Sequence, residues 1–272
     1  MESISKSPRQ RSKLRMAAGK AYYSFLRYIK WLHSGPFAKE HSDSVLPEIQ
    51  FHHATPLLRR LNGLEMQLQY NKVTNLRLAC PKISGILLHP GETFSYWKAI
   101  GNPTAREGYL PGMVLVNGKV AAGIGGGLCQ LSNLIYWMTL HTPLTVVERH
   151  HHGYDVFPDS NRTQPFGSGA TCFYPYGDLM IRNDTDRNFQ LCLRVEEEDL
   201  SGEWRSVRPP EEQYEIVEKN YHMRGEYWGG FTRHNELWRR VSDREGHFLH
   251  EEFITENHVF MMYEPFLESA SK

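Results

Sequence analysis

Apolar residues recur at helical spacing in the first stretch of the chain. Leu14, Ala18, Ala21, Phe25, Tyr28, Ile29 and Leu32 fall on one stripe at about 100° per residue, and Lys13, Arg15, Lys20, Arg27 and Lys30 occupy the remaining arc. That pattern predicts a basic amphipathic helix, broken at Ser34-Gly35-Pro36. A polar stretch runs to about Pro56, and a short helical pattern follows from Leu57 to Leu68. Residues 70–80 keep apolar spacing at 73, 76, 78 and 80, which suits a helix and a strand equally.

Short strands and turns are predicted next. Ile83 to Leu88 is an apolar run stopped by Pro90-Gly91. Met113 to Val116 returns as Lys119 to Ala122 across Asn117-Gly118, a strong signal for a two-residue hairpin. Leu128 to His141 contains no Gly or Pro and is dense in apolar residues, so it reads as a buried helix closed at Thr142-Pro143. Leu144 to Val147, Ala170 to Tyr174, Leu179 to Arg182 and Phe189 to Val195 read as strands, and from about Tyr214 alternating aromatics and charges predict one or two hairpins that complete or cover the sheet. The expected fold class is α+β: a mostly antiparallel sheet with the 128–141 helix packed on it, preceded by the basic helix. Residues 1–35 form the helical segment and 36–272 a single domain, with its core over 60–200 and a hairpin extension over 201–272.

Charge refines this picture. The 31 Lys and Arg residues balance the 31 Asp and Glu, so the whole chain lacks the basic excess of a nucleic-acid binder. The balance conceals an asymmetry, because the first 30 residues hold eight basic residues against Glu2 and carry +7 while the remainder carries −7. A basic helix with an apolar stripe suits an anionic membrane surface, or packing on its own domain with the basic face in solvent, better than a nucleic-acid duplex. Lys20 and Arg27 interrupt every apolar stretch long enough for a secretory signal, and no run of roughly 18 apolar residues occurs. The expected location is therefore the bacterial cytoplasm, with residues 1–33 a candidate peripheral contact on the inner membrane face. Four cysteines, Cys80, Cys129, Cys172 and Cys192, are too sparse for a disulfide framework and read as reduced thiols.

The sharpest candidate for chemistry is Gly125-Gly126-Gly127-Leu128-Cys129-Gln130-Leu131-Ser132-Asn133. A glycine loop feeding a helix leaves its first amides unpaired beside the positive end of the dipole, so a thiol there, Cys129, is expected to be held as thiolate. The Gly126, Gly127 and Cys129 amides could hold an oxyanion, with Gly125, Gln130, Ser132, Asn133 and Arg149 around them. The base is sought in His150 or His152, which would share one side of a strand, oriented by Asp155, Asp159 or Asp178. The competing reading makes Cys129 a small buried hydrophobe and the histidines a solvated turn. His150 and His152 with Cys129 or Cys172 have metal-compatible atoms but lack paired C-x-x-C or H-x-x-x-H spacings. The glycines are followed by no Gly-Lys-Ser/Thr, so neither a metal nor a nucleotide cofactor is expected.

Four motifs, taken together, resemble the VanW family: Pro90-Gly91-Glu92-Thr93-Phe94-Ser95, the Gly125–Ser132 run, Glu148-Arg149-His150-His151-His152, and Asp178-Leu179 followed by Asn183-Asp184-Thr185. The resemblance is strongest over residues 60–200. It implies a link to glycopeptide resistance and cell-envelope metabolism, with a cell-wall precursor or peptide as the expected partner. Two activities are consistent with it: acyl transfer or amide hydrolysis by Cys129, or a binding module without catalysis. One departure is that this chain reads Gly169-Ala170-Thr171 where many members of the family it resembles carry Asp-Ala-Thr, which leaves a Cys–His–Asp triad dependent on Asp155 or Asp178.

Overall fold

The computed structural model describes residues 12–58, 65–116, 118–156 and 164–264. In chain order its elements are α1 (Lys13–His33), β1 (Glu48–Pro56), α2 (Met66–Ala79), β2 (Ile86–Leu88), β3 (Thr93–Ser95) and α3 (Tyr96–Ile100). The hairpin β4 (Pro111–Val116) and β5 (Lys119–Ile124) leads into α4 (Cys129–Leu140), followed by β6 (Thr145–Glu148), β7 (Tyr154–Asp155), β8 (Met180–Arg182) and β9 (Phe189–Val195). The chain continues through β10 (Asp199–Ser206), β11 (Glu212–Gly225), β12 (Phe231–Asp243) and β13 (Phe248–Met261). The fold is α+β, and every ladder between named strands is antiparallel except β13 with β7.

The core is built where α4 meets the sheet β1-β10-β9-β2. α4 turns Leu131, Leu134, Ile135 and Met138 inward, and the strands answer with Phe189, Leu191, Leu200 and Trp204. Removing such side chains from water stabilises the fold by roughly 1.5–3 kcal/mol each, which is why the densely apolar 128–141 segment is a helix held by packing. The Trp204 indole N–H donates to the Thr139 hydroxyl at 3.0 Å, so this aromatic brings no unpaired donor into the core. A second sheet, β3-β8-β6, and the β4-β5 hairpin flank this layer. The hairpin register pairs Val116 with Lys119, as Asn117-Gly118 predicts; Asn117 itself lies outside the described residues.

Several elements differ from expectation for identifiable reasons. The helical pattern at 57–68 gives no helix at Leu57 and Leu58, its middle lies outside the described residues, and α2 starts only at Met66. Residues 70–80 resolve to helix; the apolar spacing was blurred because α2 buries Gln69, Lys72 and Asn75 beside Leu76 and Ala79. Ala170 to Tyr174 forms no ladder beyond the bridge of Phe173 with Gly177. The Ala170 N–H donates to Asn133 Oδ1 and its carbonyl accepts from Ser132, both at 2.7 Å, so α4 side chains take the groups a neighbouring strand would need. β1 was hidden in the polar stretch because it is an edge strand with a bulge after Ile49, and β10 because Gly202 interrupts its alternation.

Beyond the core sheet, Glu212 to Met261 form a meander of two long hairpins, β11-β12-β13, with β7 added in parallel. It forms its own sheet and does not extend the core sheet, which itself runs on to Ser206. Arg239 ties the two by donating to the Thr142 carbonyl at 2.8 Å, and Arg149 by donating to Thr255 at 3.2 Å. On this meander, His234 stands in register between His222 and His258, with ring centroids 4.6 and 4.1 Å away. Burial, then the charges of His258 and His222, draws the His234 pKa down to about 4 from its ordinary value of 6.5. As pH falls through that window the unfolded chain takes up a proton that the folded chain refuses, so this stability is present above about pH 6.5 and lost toward pH 4. Replacing His234 by Asn should therefore flatten the fall in thermal midpoint between about pH 7 and about pH 5; an unchanged slope would count against the ladder.

Candidate functional site

The glycine loop is fixed by close approach. Gly126 and Gly112 of β4 lie back to back, and a Cβ on either would come within 2.3 Å of the other's backbone, so the loop threads where a larger residue cannot. Asn75 of α2 clamps it, donating to the carbonyls of Gly126 (2.9 Å) and Leu110 (3.0 Å) while accepting from the Leu110 N–H at 2.8 Å. The loop amides are spent inside the fold: Gly125 donates to Leu110, Gly126 to Gly123 at 2.9 Å, and Gly127 to Met113 at 3.0 Å. The Gly126 and Gly127 amides assigned from sequence to an oxyanion are thus already occupied.

Cys129 does begin the first turn of α4, and its sulfur meets the Cys172 carbonyl at 3.9 Å. The residue keeps part of its surface, yet its thiol is enclosed, and burial pushes the thiol pKa up, offset only in part by backbone groups of Cys172 and of Cys129 itself. The lowering expected at a helix start does not prevail. Gln130 reaches across to β1, donating to Thr55 Oγ1 (3.0 Å) and the Pro56 carbonyl (2.9 Å), while Ser132 and Asn133 hold Ala170 as described. A Cβ on Gly169 would lie 2.9 Å from Asn133 Oδ1, so a glycine at this position leaves room for that clamp.

The histidines are elsewhere engaged. β6 ends at Glu148, so His150 and His152 lie beyond the strand and do not share a strand face. His150 Nε2 pairs with Glu148 at 3.0 Å, and His152 packs edge-on to Phe173 with centroids 6.3 Å apart. Burial lowers the pKa of His152, and the His151 charge adds to this. Among the described residues no imidazole hydrogen-bonds Cys129. Asp155 faces Arg233 at 3.3 Å and the Tyr263 hydroxyl at 3.0 Å, and Asp159 lies outside the described residues. Arg149 stacks over Tyr136 at 4.9 Å and donates to the carbonyls of Gly169 (2.8 Å) and Gly167, stapling that loop.

What converges instead is a polar cluster drawn from three of the motifs, in which Ser95 joins two carboxylates, Glu148 and Asp178. Glu148 at the end of β6 is gripped by Arg27 and Lys30 of α1, by His150, and by the Asp178 amide at 3.3 Å. Burial alone would raise the Glu148 pKa, but hydrogen bonds from His150, Arg27 and Lys30 and the Arg27 charge hold it well below the usual carboxylate range. Asp178 is fully buried and accepts from the Ser95 hydroxyl (2.5 Å), the Trp97 amide (2.9 Å) and the Leu179 amide (2.9 Å). Its pKa is raised, with burial outweighing those donors. Arg27, itself 5% exposed, also donates to the Tyr176 carbonyl at 2.7 Å, and Trp31 donates to Ser95 at 3.2 Å. An aromatic rim surrounds the group: Phe173 stacks on Tyr176 at 6.2 Å, Trp97 meets Tyr174 edge-on at 5.7 Å, and the Tyr28 and Tyr174 hydroxyls are 3.3 Å apart. Ser95 and Glu148 were visible as motif members, but no spacing rule joins residues so distant in sequence, and the buried role of Arg27 had no local signal.

Metal-ligating atoms come together, among the described residues, at Asp243, Glu245 and His247 on the β12–β13 turn, where His247 already pairs with Asp243 at 3.0 Å.

The site is a motif-built carboxylate cluster in an α+β domain, and the comparisons agree on its kinship. The family model described as VanW like protein matches residues 71–205, which carry all four motifs. Vancomycin B-type resistance protein VanW of Enterococcus faecalis is 36% identical over 181 residues, covering 66% of each chain. Uncharacterized protein YoaR of Bacillus subtilis is 32% identical over 112 residues, 40% of this chain and 34% of that one. The chain belongs to the VanW family. The matched stretch spans just under two thirds of the first relative's length and about a third of the second's. No solved structure matches the chain.

Iodoacetamide labelling of Cys129 in the folded protein, followed across pH by peptide mass spectrometry, should reach half its maximal rate above the free-thiol value of about 8.5. A midpoint below that value would restore the activated thiol.

Proposed function

We propose that this VanW-family protein is a non-catalytic binding module of cell-envelope metabolism, taking a cell-wall precursor peptide that bears a free amine. The amine takes the place of the half-exposed Lys30 ammonium on Glu148, with His150 beside it and the Phe173, Tyr174 and Tyr176 rings at the rim. The reading rests on one observation: the family motifs deliver Ser95, Glu148 and Asp178 to a single carboxylate cluster in which a guanidinium already sits. A cysteine nucleophile would need a base in reach of Cys129 and donors for an oxyanion; the thiol instead meets a carbonyl, and the Gly126 and Gly127 amides are engaged. The link of the E. faecalis relative to vancomycin resistance, carried in its name, makes the precursor peptide the first ligand to try.

The test is isothermal titration of the full chain with UDP-muramyl-pentapeptide, alongside glycopeptide susceptibility in the native host. Cys129→Ser should leave both unchanged, whereas Glu148→Gln should weaken binding by about tenfold or more, the cost of one charge-assisted contact. Loss of function on Cys129→Ser with Glu148→Gln silent would reverse the assignment.

A further inference from the structure

We propose that α1 docks the protein onto an anionic lipid bilayer, lying in the interface plane with its apolar stripe in the lipid. The proposal is independent of what the carboxylate cluster binds. α1 meets its own domain through the opposite arc to that expected for an amphipathic helix. Arg27, Lys30 and Trp31 face the body and are held by Glu148, Asp178, Tyr176 and Ser95. The stripe on the far side is left to solvent: Leu14 is 82% exposed, Phe25 63% and Leu32 80%, with Ala18, Ala21 and Ile29 between them and Tyr22 and Tyr28 at the margins. Single exposed apolar residues are ordinary on protein surfaces, but a contiguous apolar face on a helix already anchored on its other side marks an interaction surface.

Charge selects the occupant. No acid occurs anywhere in Lys13–His33, while Arg15 and Lys20 are exposed, and the sequence ahead of the helix adds Lys6, Arg9 and Arg11. A second copy of the helix would bring like charge against like charge. An anionic headgroup layer meets the same basic residues favourably, and tyrosines flanking the stripe suit the boundary between headgroups and acyl chains. Among the described residues no helix is long and apolar enough to cross a membrane, which fits a helix that lies on the surface. Because Arg27 and Lys30 stay on Glu148 while the far face enters lipid, docking needs no rearrangement and holds the carboxylate cluster close to the bilayer.

Flotation of the full chain with vesicles of phosphatidylglycerol and phosphatidylethanolamine tests this, against vesicles of phosphatidylcholine alone. The protein should float with the anionic vesicles, be released by high salt, and stay down with phosphatidylcholine. The double variant Phe25→Glu with Leu32→Glu should lose about tenfold or more in anionic-vesicle binding. Both positions are exposed, so its thermal midpoint should match the parent's, which separates loss of docking from loss of fold. Sedimentation of the parent without vesicles completes the design. Absence of flotation by the parent, equal flotation by the double variant, or a parent dimer that the variant dissociates would each overturn the proposal.

Discussion

A carboxylate taken out of water must be met by donors or be neutralised, and Glu148 imposes that condition on this fold. It stands where β6 ends, inside the wall between the second sheet and α1, and its two oxygens collect Arg27, Lys30, His150 and the Asp178 amide. Asp178, a few ångströms from Arg27, doubles the demand. The resulting arrangement explains why α1 attaches by its charged arc: the Arg27 guanidinium answers both Glu148 and Asp178, which would otherwise lack that counter-charge. It also explains where the histidines go, since His150 completes the Glu148 shell and is not available to a thiol.

The glycine motif acquires a different meaning in the same frame. Its glycines permit two backbones to touch, at Gly112 and Gly126, and its polar residues fasten the start of α4 to neighbouring segments: Gln130 to β1, Ser132 and Asn133 to Ala170. Arg149 adds a staple to the loop at Gly167 and Gly169. These contacts build the wall behind the carboxylate cluster. A motif whose residue types suit catalysis also serves here as a joint between α4 and its neighbours.

Much of the architecture was legible in the sequence wherever local pattern and tertiary role agree. The densely apolar 128–141 stretch, the Asn117-Gly118 hairpin and the Phe189–Val195 strand follow from periodicity and turn chemistry. The pattern weakened where polar residues are buried for a structural purpose, as with Gln69, Lys72 and Asn75 in α2, or where an edge strand needs little apolar content, as in β1. Within the site, Cys129, Gln130, Ser132, Asn133 and Arg149 were legible as a cluster around α4, yet their roles were not, because which amides and carbonyls are already paired is decided by distant segments. Arg27 shows the limit most plainly: on a helical wheel it belongs to a solvated face, and only the presence of Glu148 and Asp178 across the chain turns it inward.

The central claim is that the motif acids and α1 form one buried electrostatic unit. A double-mutant cycle of Arg27→Met and Glu148→Gln, read by denaturant unfolding, measures it directly. Arg27→Met alone should cost roughly 3–5 kcal/mol by stranding a buried charge, and the double variant should recover about 1 kcal/mol or more of the summed single losses. Single losses that add to within about 0.5 kcal/mol would show that the two residues do not act as a pair and would contradict this account.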